Sequence, residues 1–271
     1  MEAGAAAVAA GAAPPRCDEG EGLTLDAVSS DRSLAVVIPT YNESPNLARV
    51  VAGVRQAASR ATVIVVDDDS PDGTGAALDR LAAADARVVP IHRRAPRGYA
   101  PSCLAGLRHA LSIGAERVVQ MDADGSHDPA AIPTLIAASA RHDVVIGSRY
   151  VGAGRVVNWP LHRQFLSRWA NTYVRAVTGI GVHDITSGFR CWTRPVLERL
   201  PLDRVRSEGY GFLVEMTFLA VRAGFAVGEV PITFVDRTDG VSKMSWKVLL
   251  ESAWLPWHLV LRGSAGPREL A

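Results

Sequence analysis

The amino-acid sequence predicts an α/β fold, in which a mostly parallel central sheet is flanked by helices and forms a single domain. Three observations support this prediction: short apolar runs rich in Val and Ile recur, helical stretches lie between them, and turn-forming residues follow several of the runs. Strands buried on both faces of a parallel sheet appear as near-continuous apolar runs, and strand–helix alternation is typical of such sheets. With 271 residues, 48% of them hydrophobic, the chain can bury one sizeable core.

Strands and helices alternate in the first half of the chain. Strands are predicted at 34–38, 62–66, 87–91, 117–121 and 143–146, and helices at 44–59, at 98–112, from Pro129, and in a stretch that ends near Ala84. Ser44 and Pro45 are expected as the N-cap and first residue of the first helix, because proline is favoured at that first position. Gly114 is expected to end the third helix, since glycine adopts the left-handed conformation that closes many helices.

The pattern changes after Tyr150. We expect a glycine-containing loop at 151–160, an amphipathic helix at 161–178, a helix at 211–223, a strand at 225–234, a polar loop at 236–242, and a helix at 243–262 interrupted at Pro256. The predicted organisation is an Ala/Gly-rich disordered leader at 1–32, the α/β domain at 33–250, and a C-terminal amphipathic helix and tail at 251–271.

Composition excludes several classes of protein. The formal net charge is +1, which argues against a nucleic-acid binder. Three widely spaced cysteines predict neither a disulfide framework nor a metal site. No run of about 18 uninterrupted apolar residues occurs, so we expect peripheral membrane contact without a transmembrane segment. The Gly-rich phosphate loops and the nucleophile elbow of hydrolases are also missing from the sequence.

Three polar clusters follow predicted strands, at 39–43, 67–72 and 122–124. Ligands of open parallel sheets bind outside the carboxyl ends of the strands, so we expect the clusters to meet there. Asp122 and Asp124, two residues apart, suit a hard cation such as Mg²⁺ or Mn²⁺ with phosphate oxygens completing its shell; the alternative is a turn formed with Gly125. Asp68 is interpreted as a nucleobase acceptor, although the 67–69 carboxylates could also bind metal, and Glu43 as a nucleoside contact.

Motifs in these clusters resemble those of family-two glycosyltransferases of the GT-A fold. They are Val-Val-Ile-Pro-Thr-Tyr-Asn-Glu at 36–43, Val-Val-Asp-Asp-Asp-Ser-Pro-Asp-Gly-Thr at 65–74 and Met-Asp-Ala-Asp-Gly-Ser-His-Asp-Pro at 121–129. The second is similar to dolichol- and polyprenol-phosphate mannose synthases. Further matches at 147–150, 184–190, 209–212 and 237–243 extend the resemblance over about residues 33 to 250.

The resemblance implies an inverting glycosyltransferase that moves mannose from GDP-mannose to a polyprenyl (dolichyl-type) monophosphate. The nucleotide-sugar contacts that it implies are Pro39, Tyr41, Glu43, Asp68, Asp122, Ala123, Asp124, Ser126, Arg237 and Lys243. Of these, Asp122 and Asp124 would also hold the metal, and together with Arg237 and Lys243 they form the implied catalytic set. The acceptor phosphate would meet Arg149, Arg163 and Ser167. The implied location is the cytoplasmic face of a membrane, with room for an integral-membrane partner.

Two positions depart from the family pattern. Arg97-Gly98-Tyr99-Ala100 stands where family members often carry Gly-Leu-Gly, and Ser126 stands where some carry Gln. His127 is expected to be a polar neighbour of the site rather than a ligand. Two other functions remain open at this point: transfer of glucose from UDP-glucose to polyprenyl phosphate, and a non-catalytic module that binds a nucleotide sugar.

Overall fold

The computed structural model describes residues 34–94, 96–236 and 254–261. The described strands are β1 Leu34–Thr40, β2 Thr62–Asp67, β3 Val88–His92, β4 Arg117–Gln120, β5 Val144–Ser148, β6 Arg155–Val157, β7 Arg190–Thr193, β8 Val227–Pro231 and β9 Thr233–Val235. The described helices are α1 Ser44–Ala57, α2 Thr74–Ala84, α3 Tyr99–Ser112, α4 Ile132–Ala138, α5 Leu161–Thr178, α6 Arg194–Arg199, α7 Gly209–Arg222 and, at 254–261, α8.

The central sheet has the strand order β3-β2-β1-β4-β7-β5-β8. Neighbouring pairs are parallel except for β7, which runs antiparallel between β4 and β5. This confirms the prediction of a mostly parallel sheet flanked by helices. Because β1, β2 and β4 are adjacent and parallel, their carboxyl ends meet at one edge of the sheet. The polar clusters that follow these strands were predicted to meet there.

Two hydrophobic clusters cover the two faces of this sheet. One contains buried side chains of α1, α2 and α4, and the other contains those of α3, α6 and α7 together with Leu255 and Leu259 of α8. Helix α3 approaches β1 so closely that a Cβ at Gly106 would lie 2.3 Å from the Val37 side chain. A glycine is therefore needed where the helix that supports the site crosses the sheet.

Several sequence predictions are wrong in detail. The expected loop at 151–160 contains β6, which pairs in parallel with β9 in a second, two-stranded sheet. The expected strand at 225–234 is two strands, because β8 and β9 belong to different sheets. Elements β7 and α6 were not predicted. Pro256 lies within the described range of α8, 254–261, and does not interrupt it.

Several helix ends differ from the predictions by one or two residues, whereas α5 has the predicted bounds. The helix expected from Pro129 begins as a 3₁₀ turn at Pro129–Ala131 and continues as α4. The α1 N-cap is Glu43, so Ser44 is already helical and Pro45 lies in the first turn. Helix α3 is followed by Gly114 at φ +82°, which confirms the predicted stop. Among the residues that the structure describes, none of the helices has the length and apolar character needed to cross a membrane. The predicted leader and most of the predicted 243–262 helix fall outside the described ranges.

Candidate active site

A cavity of about 540 Å³ opens at the carboxyl ends of β1, β2 and β4. That volume suits a small-molecule ligand of nucleotide size. The predicted site residues that line it are Pro39, Tyr41, Glu43, Asp68, Asp122, Ala123, Asp124, Ser126, Arg149 and Arg163. Ser167 is not among its lining residues, and the predictions for Arg237 and Lys243 lie outside the described residues.

Asp122 and Asp124 directly follow β4 and face this cavity. The Asp122 Oδ1 accepts a hydrogen bond of 2.9 Å from the Tyr99 hydroxyl, and the Asp124 Oδ1 accepts one of 2.9 Å from the main-chain N–H of Ser126. Burial and the neighbouring Asp124 charge raise the pKa of Asp122, against the opposing influence of His127. A divalent cation would offset the repulsion between two such carboxylates, so these residues fit a metal site.

His127 contacts the main chain of the segment that carries Asp122 and Asp124. Its Nδ1 accepts a 3.2 Å hydrogen bond from the main-chain N–H of Asp122, and its ring stacks on Phe189 with centroids 5.0 Å apart. The side chain is 1% exposed. These contacts place His127 beside the site, and the expectation that it is not a metal ligand stays a prediction.

The β2–α2 loop separates its aspartates into different environments. Asp68 lines the cavity, where its two oxygens accept hydrogen bonds from Arg93 Nη1 at 2.5 Å and from the Gly98 N–H at 2.6 Å. Asp67 accepts from the Ser70 hydroxyl, so it shapes the loop. Arg93 and Gly98 therefore fix the orientation in which the Asp68 carboxylate faces the cavity.

Asp72 ties this loop to the start of α1. Its carboxylate accepts from the Thr74 hydroxyl at 2.6 Å and from the Ser44 N–H at 3.1 Å. Burial raises the pKa of Asp72, but these hydrogen bonds outweigh it and the pKa is lowered. The loop that carries Asp68 and the turn that carries Glu43 are thus held together.

Another part of the cavity wall combines aromatic rings with two arginines, each of which is paired with an aspartate. Arg149 is buried and pairs with Asp184, with Nε–Oδ2 at 2.7 Å and Nη2–Oδ1 at 2.6 Å. Its guanidinium lies 5.3 Å from the Trp159 ring centroid and 5.4 Å from that of Phe234. Burial alone would lower the pKa of Arg149, but the Asp184 carboxylate raises it above its ordinary value. The arginine is therefore permanently charged and rigidly oriented.

Arg163, on the first turn of α5, also lines the cavity. Its Nη1 contacts both carboxylate oxygens of Asp236, at 3.0 and 3.1 Å. The guanidinium stacks over Trp159 at 4.3 Å. Ser167, one turn further along α5, hydrogen-bonds the Tyr150 hydroxyl at 2.7 Å. The two predicted phosphate-binding arginines thus both contact one indole ring.

Two buried polar atoms among the described residues have no hydrogen-bond partner, the Thr40 Oγ1 and the Trp159 Nε1. Both residues line this same cavity. Buried polar groups are normally satisfied, so their position points to a cavity shaped to hold a polar ligand.

Sequence reasoning missed several residues of this cavity. Tyr99, Trp159, Gly188 and Asp236 all line it, and Asp184 orients Arg149 from behind. Asp184 and Gly188 belong to the quoted motif at 184–190, but no role could be derived for them without the fold. Tyr99 stood out only as a departure from the family pattern.

The fold and this cavity define a class: a GT-A enzyme, with carboxylates at the carboxyl ends of the strands and a cavity of nucleotide size beside them. The chain belongs to glycosyl transferase family 2, whose family model matches residues 35–200. It is a glycosyltransferase, and the resemblance seen in its motifs is confirmed.

Two curated relatives are similar over most of the chain. Polyprenol monophosphomannose synthase of Mycolicibacterium smegmatis is 45% identical over 252 residues, covering 92% of this chain and 95% of that protein. Undecaprenyl-phosphate mannosyltransferase of Micrococcus luteus is 44% identical over 216 residues, covering 80% of this chain and 89% of that protein. The names of both relatives contain a polyprenyl-type lipid and the transfer of mannose.

Solved structures agree in fold at lower identity. Glucosyl-3-phosphoglycerate synthase of Mycobacterium tuberculosis, in complex with Mn²⁺, UDP and glucosyl-3-phosphoglycerate, has a TM-score of 0.63 at 19% identity and covers 92% of this chain and 87% of its own. The mannosyltransferase PcManGT of Pyrobaculum calidifontis, in complex with GDP-Man and Mn²⁺, has a TM-score of 0.53 at 18% identity and covers 86% of this chain and 73% of its own. At these identities the likeness concerns the fold alone.

Proposed function

We propose that this enzyme transfers mannose from GDP-mannose to a polyprenyl monophosphate and inverts the configuration at the anomeric carbon. The observation that carries the proposal is a single cavity whose wall holds both the carboxylates of Asp122 and Asp124 and the guanidinium groups of Arg149 and Arg163. A diphospho-sugar donor with its cation suits the carboxylates, and an anionic acceptor suits the arginines. The relatives at 44–45% identity are named for mannosyl transfer to such acceptors.

The donor nucleotide would lie against the turn after β1 and the loop after β2. Asp68 is fixed by Arg93 and Gly98, and its remaining lone pairs can accept N–H groups of guanine. Tyr41 and Glu43 line the same wall and would contact the nucleoside together with Pro39. Ala123 and Ser126 flank the carboxylates that meet the diphosphate.

Asp122 and Asp124 would hold Mg²⁺ or Mn²⁺. When bound, the cation supplies Lewis-acid stabilisation of the negative charge that develops on the departing diphosphate. Tyr99 and the Ser126 N–H hold the two carboxylates in place for this purpose. Arg237 and Lys243 would add positive charge to the same phosphates, a role that remains a prediction.

At the acceptor end, Arg149 and Arg163 would bind the lipid phosphate and aim one of its oxygens at the sugar. That oxygen forms a bond to the anomeric carbon while the bond from this carbon to the diphosphate oxygen breaks, and GDP leaves with the electron pair. A phosphate monoester with its second pKa near 6 is already largely anionic at pH 7. The reaction therefore needs no general base, and orientation with charge stabilisation carries the catalysis. Ser167 is not part of the cavity wall. Its hydrogen bond to Tyr150 would fix the tyrosine ring against Arg149, and Ser167 would thus help to position this arginine for the phosphate.

The exposed apolar face of α5 would rest on the membrane. Leu161, Phe165 and Trp169 recur every four residues and are 82%, 72% and 55% exposed. Spacing of four residues places them on one side of a helix, and the same helix carries Arg163 into the cavity. A surface helix of this kind can bring the enzyme to a phosphate at the lipid interface. An integral-membrane partner is a further prediction, as is the cytoplasmic side of the membrane.

Transfer of radiolabelled mannose tests the proposal. The protein is incubated with labelled GDP-mannose and a short polyprenyl phosphate, with Mg²⁺ or Mn²⁺ and with or without chelator. We expect labelled lipid that depends on the cation, with UDP-glucose giving far less product. Asp122→Asn should lower turnover by several powers of ten while the protein stays folded. Equal use of UDP-glucose would overturn the donor assignment, and near-normal turnover of folded Asp122→Asn would overturn the metal-site assignment.

A further inference from the structure

Tyr99 joins the cavity to the core of the protein. It is the first residue of α3, and its ring stands edge-on to Phe212 with centroids 6.2 Å apart. Its hydroxyl reaches the Asp122 Oδ1 at 2.9 Å. The family resemblance assigns no role to this tyrosine, which occupies part of the stretch where the sequence departs from the common Gly-Leu-Gly pattern.

A chain of hydrogen bonds fixes which atom donates to which. The Trp192 Nε1 can only donate, and it faces the Gln120 Oε1 at 3.4 Å. The Gln120 amide nitrogen is therefore the end that faces Tyr99, and it donates to the tyrosine oxygen at 3.1 Å. With that lone pair occupied, the single hydroxyl proton of Tyr99 is directed at Asp122.

The other contacts of Asp122 leave little freedom for its carboxylate. A Cβ at Gly188 would lie 3.0 Å from Oδ1 and 3.1 Å from Oδ2, so the backbone of that glycine closes one side. The Asp122 main chain is held by His127. About a third of the side chain, 32%, remains exposed. With Oδ1 bound to Tyr99, the carboxylate can present Oδ2 to a ligand in only one orientation.

We propose that Tyr99 is a positioning residue that orients Asp122 for cation binding through the chain Trp192–Gln120–Tyr99. This inference rests on the proposed function, since it concerns the metal site named there. Groups that hydrogen-bond to metal-ligating carboxylates commonly change metal affinity by 10- to 100-fold when removed. Hydrogen bonds to charged groups are also stronger than neutral ones, so the buried chain can hold the carboxylate against rotation.

Tyr99→Phe tests the inference because it removes the hydroxyl and keeps the ring against Phe212. Mn²⁺ is titrated into protein saturated with GDP, and free Mn²⁺ is measured by electron paramagnetic resonance. We expect the dissociation constant for Mn²⁺ to rise about tenfold. The Mn²⁺ concentration for half-maximal transfer should rise by a similar factor, so that activity is regained by adding metal. Tyr99→Leu, which also lacks the hydroxyl, should give the same shift and serves if the phenylalanine variant folds poorly.

Tyr150→Phe is the matched control. It also deletes a phenol hydrogen bond, the 2.7 Å contact with Ser167, but one that involves neither Asp122 nor Asp124, and Mn²⁺ affinity should stay within twofold. Asp122→Asn separates the inference from the function on which it rests. Loss of Mn²⁺ binding in Asp122→Asn with unchanged or tighter binding in Tyr99→Phe would overturn only the role of Tyr99. Unchanged binding in Asp122→Asn itself would overturn the metal site.

Discussion

Gly188 lies against Asp122 so closely that any side chain there would disturb the site. A Cβ at this position would lie 2.8 Å from the Tyr99 hydroxyl and 3.0 Å from the Asp122 Oδ1. Real Cβ atoms do not approach other atoms so closely, hence Gly188→Ala must displace the carboxylate, the tyrosine or the loop.

We expect Gly188→Ala to lower kcat/KM by about 100-fold, since a displacement of about 1 Å in a catalytic constellation can cost that much. Steady-state transfer assays measure the effect. Gly181→Ala is the control, because a Cβ there meets nothing within 4 Å, and its kinetics should match those of the parent enzyme. Equal rates for the two variants would show that Asp122 tolerates the added methyl group.

The buried pair of Arg149 and Asp184 contributes to the stability of the fold next to the proposed acceptor site. Asp184 is 0% exposed and accepts two side-chain N–H groups of Arg149 and its main-chain N–H. Removing one member of a buried pair leaves an uncompensated charge and costs about 3–5 kcal/mol.

Asp184→Asn should therefore lower the free energy of unfolding by about 3–5 kcal/mol, measured by guanidinium chloride titration. The control is Asp203→Asn, which breaks the Arg108 pair on the surface, where Asp203 is 92% exposed. Surface pairs contribute about 0–1 kcal/mol, so this variant should be nearly neutral. Similar losses in both variants would contradict a special role for the buried pair.

At the residue scale, the sequence could predict side chains whose chemistry is local. Asp122 and Asp124 are recognisable because a strand precedes them and two carboxylates stand two residues apart. Gly188, Tyr99 and Asp184 could not be predicted from the residues, because their roles arise from contacts with residues 23 to 66 positions away in the chain: Tyr99 with Asp122, Gly188 with Asp122, and Asp184 with Arg149. Such roles are set by packing.

Helix α5 shows the same division at the scale of an element. Its bounds, Leu161–Thr178, agree with the prediction because the amphipathic period extends over the whole helix. Strand β7 was missed because it is four residues long and includes Arg190, which is buried where a strand would normally carry an apolar side chain. Its charge is enclosed by main-chain carbonyls of Ser187 and Leu213, and burial lowers the pKa of Arg190 to about 10.

The apolar face of α5 leads to a prediction about membrane binding. Replacing Phe165 and Trp169 by Glu should lower co-sedimentation with anionic lipid vesicles by at least tenfold, because charge is placed where apolar side chains would enter the interface. Activity on a short, water-soluble polyprenyl phosphate should fall much less than activity on vesicle-borne acceptor.

Val221→Glu provides the control for that measurement. Val221 is also exposed, at 37%, but it lies near the end of α7 opposite the cavity-lining Tyr210, about 16 Å along the helix by a rise of 1.5 Å per residue. Vesicle binding should be unchanged in this variant. If it falls as far as in the α5 variant, the interface lies elsewhere on the molecule.

At the scale of the whole molecule, strand–helix alternation was enough to predict which strand ends would meet. Strands β1, β2 and β4 are adjacent in the sheet and bring Glu43, Asp68 and Asp122 to one cavity. The strand order in the second half of the chain could not be predicted from sequence. Strands β5, β7 and β8 pair out of chain order, and β6 pairs with β9 in a separate sheet. The meeting of Glu43, Asp68 and Asp122 was therefore predictable in outline, whereas the roles proposed for Arg149 and Arg163 depend on resemblance.

Because the donor would contact three strand ends at once, its binding should stabilise the whole domain. A ligand present at 100 times its dissociation constant adds about 2.7 kcal/mol to the free energy of unfolding, and each kcal/mol raises Tm by about 2–4 °C in a domain of this size. GDP with Mn²⁺ should therefore raise Tm by about 5–10 °C, as measured by differential scanning fluorimetry. GDP without metal should give a much smaller rise, because its diphosphate would face the unscreened charges of Asp122 and Asp124.

Three comparisons make this measurement specific. UDP with Mn²⁺ should shift Tm less than GDP with Mn²⁺, since Asp68 is oriented for a purine edge in the proposal. Asp122→Asn should lose the increment that depends on metal, whereas the surface variant Asp203→Asn should keep it. An equal rise with GDP in the presence of chelator would mean that the nucleotide is held without a cation, and the carboxylates after β4 would then need another role.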